Sequence, residues 1–147
     1  LTGLDILALH EQAANLICFL PGAAEFLRTL SEHGKRTLIV TNADRQSFAI
    51  KDRVLRLSPR VNQVISSHDL GIPKEENAFW VWLTEQHDLN PSTTLFVDDT
   101  ARVLRAAEIF GIAHTLAVAQ PDQQRPPRDM PGRPSFGHYD QLIAELA

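Results

Sequence analysis

The chain has 147 residues, a length typical of a single domain. Its 44% apolar and 22% charged residues and its formal charge of −4 exclude a disordered chain, a collagen-like repeat and a basic protein that coats nucleic acid. The longest strictly apolar stretch, residues 78–83, is far shorter than the roughly 18 residues of a membrane span. A single cysteine, Cys18, excludes an intrachain disulfide and favours a reducing, cytoplasmic compartment.

Hydrophobic periodicity predicts helices that alternate with short apolar strands. In chain order, it predicts a helix at 4–16, a helix from 21 to Gly34, a strand at 36–41, a helix at 44–57, a strand at 63–67, a helix at 74–88, a strand at 94–98, a helix at 101–110, a strand at 114–119 and a helix at 139–146. Five prolines between Pro121 and Pro134 predict a surface loop over residues 121–137.

This alternation indicates a parallel sheet that is covered by helices on both faces, and the strand at 36–41 is expected to be buried. In such sheets the ligand binds beyond the carboxyl ends of the strands. We therefore expect the functional residues among the polar residues that directly follow each strand. Glu75 and Glu76 are instead expected to complement the positive end of the dipole of the helix at 74–88.

Five polar residues at the strand ends form the candidate site: Thr41, Asn42, Lys74, Asp98 and Asp99. A hydroxyl and an ammonium suit a phosphate, one as a donor and one as a counter-charge. Adjacent carboxylates repel each other unless a cation is near, and their oxygens are ligands that Mg²⁺ prefers. The alternative for Thr41 and Asn42 is a turn residue or helix cap, and the alternative for Lys74 is a solvated side chain at the start of a helix. Capping by Asp99 explains only one of the two carboxylates.

The order and spacing of these residues resemble the haloacid dehalogenase-like (HAD) superfamily. Motif II of that family is matched by LIVTN with Thr41, motif III by GIPKEE with Lys74, and motif IV by LFVDD with Asp98 and Asp99. The resemblance covers residues 21–120. Within the family, the runs VTNADRQSFAIK, SSHDLGIPKEENAFW and TLFVDDTARVLRAAEIFGI resemble the bacterial GMP/IMP 5′-nucleotidases.

The resemblance implies a three-layer α/β/α Rossmann-like core with a parallel sheet over residues 21–147, and the end of a helical cap with its return hinge over residues 1–20. It implies a Mg²⁺-dependent hydrolase of small phosphomonoesters, best matched to purine nucleotides, that acts through an aspartyl-phosphate and needs neither nucleic acid nor a membrane. Thr41 and Lys74 would then be catalytic and hold the phosphoryl oxygens, with Asn42 supporting the phosphate. Asp98 and Asp99 would anchor Mg²⁺.

One family motif has no counterpart in the sequence. Motif I, DxDx[TV], supplies the nucleophile and the general acid from the central strand, and it does not occur here. Because the chain also begins with Leu1 rather than Met, we expect it to be N-terminally incomplete, to lack the central strand and most of the cap, and to be inactive alone.

Two other classes of protein compete with this interpretation. A degenerate HAD-like protein that only binds phosphate or serves as a structural subunit remains open. A response-regulator receiver domain also combines an acidic pair, a Thr or Ser and a Lys, but it has the acidic pair first and the Lys last. The order Thr41, Lys74, Asp98, Asp99 in this chain disfavours a receiver.

Overall fold

The computed structural model describes residues 8–9 and 12–146, so part of the helix predicted at residues 4–16 lies outside the described residues. In that segment Ala14–Leu16 forms a 3₁₀ turn. The described helices are α1 (Ala23–Glu32), α2 (Arg45–Leu55), α3 (Ser67–Leu70), α4 (Asn77–Gln86), α5 (Ala101–Phe110) and α6 (Asp140–Leu146). The described strands are β1 (Leu38–Thr41), β2 (Gln63–Ser66), β3 (Leu95–Asp98), β4 (His114–Val118) and β5 (Ser135–Phe136).

All strand pairs are parallel, as an α/β fold of this kind requires. The described strands form two sheets, with β1 paired to β2 in one and the order β3-β4-β5 in the other. The prediction of a Rossmann-like α/β fold with flanking helices is confirmed. The expectation that β1 is buried is wrong, because all four of its residues are only half-buried. Its one strand partner among the described residues is β2, so its other edge is not covered by a strand.

A shared core joins the two sheets. Phe79 and Trp80 of α4 are almost fully buried, and they pack with Val103 of α5 and with side chains of both sheets, among them Val40 and Phe96. The Trp80 and Phe96 rings meet edge to face with 4.8 Å between centroids, a favoured aromatic geometry. This core therefore fixes the carboxyl ends of β1 and β3 relative to each other.

The end of the predicted surface loop belongs to the sheet. Phe136 of β5 is 5% exposed, and its ring lies 4.8 Å from that of Tyr139, which in turn lies 5.3 Å from the ring of Phe26. Two residues are too few for a periodic pattern, so the sequence predicted loop through residue 137 where β5 forms. This aromatic contact ties the region after the prolines to α1.

Gly22 allows α1 and α6 to approach closely. It precedes α1 with φ of 76°, and a Cβ atom there would lie 2.8 Å from the backbone nitrogen of Asp140. Glycine avoids both the steric clash and the cost of a positive φ. None of the described helices has the length and apolar character to cross a membrane.

Candidate active site

Lys74 connects the carboxyl ends of the two sheets. Its Nζ lies 2.7 Å from Oδ2 of Asp98, at the end of β3, and 3.3 Å from the carbonyl oxygen of Val40 in β1. The side chains of Lys74 and Asp98 are only 10% and 9% exposed. The structure thus brings together two predicted site residues, and it gives the ammonium two oxygen partners at the sheet edge.

The backbone of Lys74 explains why the helix starts later than predicted. The predicted helix over residues 74–88 begins at Asn77, and Lys74 lies in the preceding turn. Its N–H donates to Oδ1 of Asn42 at 3.1 Å, and its carbonyl oxygen accepts from Nε1 of Trp80 at 2.8 Å. Because both backbone groups are used in tertiary contacts, this residue is held in a loop.

Asn42 holds this loop against the end of β1. Its Oδ1 accepts from the buried Ser67 hydroxyl at 2.5 Å as well as from Lys74, and its Nδ2 donates to Oε2 of Glu75 at 3.0 Å. The Asn42 side chain therefore positions Lys74. The predicted contact of Asn42 with a phosphate remains a prediction.

Thr41 ends β1 beside the Lys74 loop. Its hydroxyl oxygen accepts from the N–H of Ala43 at 3.0 Å, and the Ser66 hydroxyl donates to the carbonyl oxygen of Ala43 at 2.7 Å. A hydroxyl that accepts in this way still has its proton to donate. The half-buried Thr41 is thus fixed with a donor available at the edge of the sheet.

The two adjacent carboxylates have different surroundings. Both oxygens of Asp98 are engaged, one by Lys74 and the other by the N–H of Thr100 at 2.8 Å. The side chain of Asp99 is 45% exposed, and its Oδ2 lies 3.8 Å from Nη1 of Arg128, which also donates to the Asp99 carbonyl oxygen at 3.3 Å. Asp99 is therefore the more accessible of the pair.

The negative charge of this pair reaches the beginning of α6. Burial, followed by the charges of Asp99 and Asp98, raises the pKa of Tyr139. Burial disfavours the phenolate, and nearby carboxylates disfavour a further negative charge. Tyr139 is thus buried and close enough to Asp99 and Asp98 for their charges to oppose its ionisation.

The chemistry of these donors fits Mg²⁺. Asp98 and Asp99 both offer carboxylate oxygens, and the carboxylate of Asp99 is the more accessible to solvent. Across residues 8–9 and 12–146, no cluster of three or more His, Cys, Asp or Glu forms a self-sufficient metal site. Mg²⁺ is commonly held by one or two carboxylates and completes its shell with water and substrate phosphate. Asp99, with Asp98 beside it, could hold the ion in that way.

A cavity beside the site was not predicted from the sequence. It has a volume of about 700 Å³, and Asn42, His68, Glu75 and Arg102 are among its lining residues. Glu75 does not lie on a helix: it directly follows Lys74 in the turn, and Nη2 of Arg102 lies 3.5 Å from its Oε1. Their positions in the sequence are the only signal that points to them. Glu75 directly follows Lys74, and Arg102 lies in the first turn of α5, just after Asp98 and Asp99.

Comparison with known proteins shows which family this chain resembles. The profile of the haloacid dehalogenase-like hydrolases matches residues 3–111. The chain is 32% identical over 144 residues to the GMP/IMP nucleotidase YrfG of Escherichia coli K12, an alignment that covers 98% of this chain and 65% of that protein. The chain therefore spans about 65% of the length of the curated relatives it matches.

Solved structures share the fold. A HAD phosphatase from Thermococcus onnurineus superposes with a TM-score of 0.75 at 18% identity, over 97% of this chain and 64% of that chain. A dehalogenase superposes with a TM-score of 0.71 at 25% identity, over 86% of this chain and 56% of that chain. Since the family profile spans well over half of the sequence, the chain belongs to the haloacid dehalogenase-like hydrolase family.

Proposed function

We propose that the full-length protein is a Mg²⁺-dependent phosphomonoester hydrolase whose substrates are purine nucleoside 5′-monophosphates of the GMP/IMP class. The observation that carries the proposal is the almost buried ammonium of Lys74, held beside the acidic pair at the carboxyl edge of the sheets. A cation next to carboxylates suits a phosphate that is bridged to a metal ion. The substrate class is supported by the similarity to a GMP/IMP nucleotidase.

In this proposal each side chain has a defined task. Lys74 neutralises charge on the phosphoryl oxygens, and its contact with Asp98 fixes the position of the ammonium. Thr41 donates its hydroxyl proton to one of those oxygens. Asp99 would hold Mg²⁺ directly, and Asp98 would act through water. When bound, Mg²⁺ offsets negative charge on the phosphoryl group.

We also propose that the nucleophile comes from outside this chain. The family motif DxDx[TV] does not occur in the sequence. Lys74 joins the ends of β1 and β3, which are not paired with each other among the described strands, and in this proposal the strand carrying the nucleophilic Asp lies between them. The carboxylate of the first Asp of that motif would attack phosphorus and break the bond to the ester oxygen, while the second Asp would give its proton to that oxygen as the nucleoside leaves. Water would then hydrolyse the aspartyl-phosphate, releasing inorganic phosphate and restoring the carboxylate.

Phosphate release from a panel of substrates tests the proposal. The full-length protein is given IMP, GMP, AMP, ribose 5-phosphate and p-nitrophenyl phosphate, each with Mg²⁺ and each with EDTA. We expect IMP and GMP to be the best substrates and EDTA to abolish turnover. The 147-residue chain alone is expected to be inactive. Robust Mg²⁺-dependent hydrolysis of p-nitrophenyl phosphate by that chain would show that the motifs were misassigned.

The competing proposal is a phosphate-binding subunit without catalysis, which the absence of DxDx[TV] favours. It predicts that the full-length protein binds a nucleotide in calorimetric titration yet releases no phosphate from any substrate in the panel. Determining the coding sequence before Leu1 also separates the two proposals, because the hydrolase requires DxDx[TV] there.

A further inference from the structure

The cavity beside Asn42 is large enough for the alcohol part of a phosphomonoester, which in a nucleotide is the nucleoside. Its volume of about 700 Å³ lies within the range of small-ligand sites. Ile72 and Pro73 supply an apolar wall, and Asn42 and Glu75 connect the cavity to the Lys74 loop. Of the predicted site residues only Asn42 is among the residues that line the cavity, so the cavity adjoins the proposed phosphate site through Asn42.

Glu75 and Arg102 give this cavity an acceptor next to a donor. The Glu75 carboxylate is fixed on one side by the Asn42 amide at 3.0 Å, and Nη2 of Arg102 lies 3.5 Å from its other oxygen. The Glu75 side chain is 27% exposed and that of Arg102 is 83% exposed. The carboxylate is thus held in place, while the guanidinium lies on the solvent side with most of its donors facing outward.

We propose, on the basis of the proposed function, that Glu75 and Arg102 recognise the 6-oxopurine edge of the substrate base. Guanine and hypoxanthine carry an N1–H donor next to the O6 acceptor. Glu75 accepts from N1–H and Arg102 donates to O6, the oxygen of guanine to which Arg commonly donates. Both hydrogen bonds involve a charged partner, so they are stronger than neutral ones.

The same pair rejects adenine. Adenine has an acceptor at N1 and an amino group at C6, so its N1 would face the carboxylate and its amino group would face the guanidinium. Neither contact forms a hydrogen bond, and polar groups of the site would lose their partners. Because water can satisfy the 83% exposed guanidinium, the rejection depends mainly on the 27% exposed Glu75 carboxylate that would face N1 of adenine.

The test compares substrate ratios in the full-length protein. The kcat/KM values for IMP, AMP and ribose 5-phosphate are measured for the wild type, Glu75→Gln and Arg102→Gln. The matched controls are Glu85→Gln on α4 and Arg105→Gln on α5, both exposed positions. We expect Glu75→Gln to lower the IMP/AMP ratio by at least about tenfold, because the Gln amide can donate to N1 of adenine. Arg102→Gln should also lower the IMP/AMP ratio, and both control variants should have the wild-type ratio.

The outcomes separate this proposal from the proposed function. A wild type that prefers IMP to AMP, with both variants at the wild-type ratio, overturns the base-recognition role and leaves the nucleotidase proposal standing. A wild type that hydrolyses ribose 5-phosphate but neither nucleotide overturns the nucleotidase proposal. If Glu75→Gln is poorly folded, Arg102→Gln still decides the test. The Arg102 side chain is 83% exposed, so replacing its guanidinium disturbs no packing.

Discussion

The ammonium of Lys74 and the carboxylate of Asp98 form an ion pair of 2.7 Å in which both side chains are about nine-tenths buried. The two residues are 24 positions apart and belong to different parts of the fold, one in a loop after α3 and the other at the end of β3. The pair therefore has a structural role in addition to the role proposed for Lys74 in binding phosphate.

This pair predicts that Lys74→Met destabilises the full-length protein. Removing one partner leaves Asp98 as an uncompensated buried charge, which typically costs about 3–5 kcal/mol. The double variant Lys74→Met/Asp98→Asn should recover most of that loss, because no buried charge remains. Urea unfolding measures the free energy of unfolding of each variant, with Lys51→Met on the exposed surface of α2 as the control. A single variant as stable as the control contradicts the burial of the pair.

A second prediction concerns Mg²⁺ and Asp99. If Asp99 binds the ion, Mg²⁺ at one hundred times its dissociation constant should stabilise the full-length protein by about 2.7 kcal/mol. Asp99→Asn should lose most of this stabilisation and, without metal, be as stable as the wild type or more so, since one repulsion is removed.

A thermal-shift titration with MgCl₂ measures this effect. Asp129→Asn, an exposed position in the proline-rich loop, is the matched control and should respond as the wild type does. Identical responses of the wild type and Asp99→Asn would show that Asp99 is only a structural residue of the turn before α5.

A third prediction concerns Arg128, which extends from the proline-rich loop to Asp99. Its guanidinium is a positive charge that competes with a metal ion, but the contact is half-exposed and so contributes at most about 1 kcal/mol. Arg128→Gln should therefore lower the Mg²⁺ concentration for half-maximal stabilisation by up to about fivefold. Arg125→Gln, in the same loop, is the control. An increase in the required Mg²⁺ would mean that Arg128 instead supports the site.

A fourth prediction is a pH dependence at the other end of that loop. Hydrogen bonds from Arg133 and then Thr115 hold the pKa of Glu108 below its usual range. A lowered pKa in the folded state stabilises the protein above the range in which an unperturbed glutamate is protonated, and this contribution is lost as the pH falls through the folded pKa. The stability difference between the wild type and Arg133→Gln should thus be largest near neutral pH and shrink on acidification. A difference that grows in acid contradicts the assignment.

The order of the longer strands and helices could be predicted from the sequence because each short apolar run and each amphipathic face is a local pattern. The four-residue α3 and the two-residue β5 were missed because they are too short to show a period. The position of Lys74 before α4 could not be predicted, since it depends on side chains that bind its backbone: Asn42, which is 32 residues away in sequence, and Trp80 within α4. The half-exposure of β1 depends on which strands pair, and a single strand does not encode that.

In the candidate site, too, some residues could be predicted from a local sequence pattern and others could not. The positions of Thr41, Asp98 and Asp99 at strand ends follow from the strand pattern, because parallel strands bring their carboxyl ends to one edge. The cavity with Glu75 and Arg102 was missed because a half-buried Glu and an exposed Arg far apart in sequence have no pattern that marks them as neighbours.

The most direct test of the proposed function is the turnover of IMP by the full-length Lys74→Met variant, measured as phosphate release at saturating Mg²⁺ and at a temperature where circular dichroism shows the variant to be folded. Lys51→Met is the control. The proposed role of Lys74 predicts a loss of about 3 kcal/mol of transition-state stabilisation, on the order of a hundredfold in kcat/KM, while the control keeps wild-type turnover. A folded Lys74→Met variant that hydrolyses IMP within about twofold of the wild-type rate would contradict the assignment of this edge as the phosphate site.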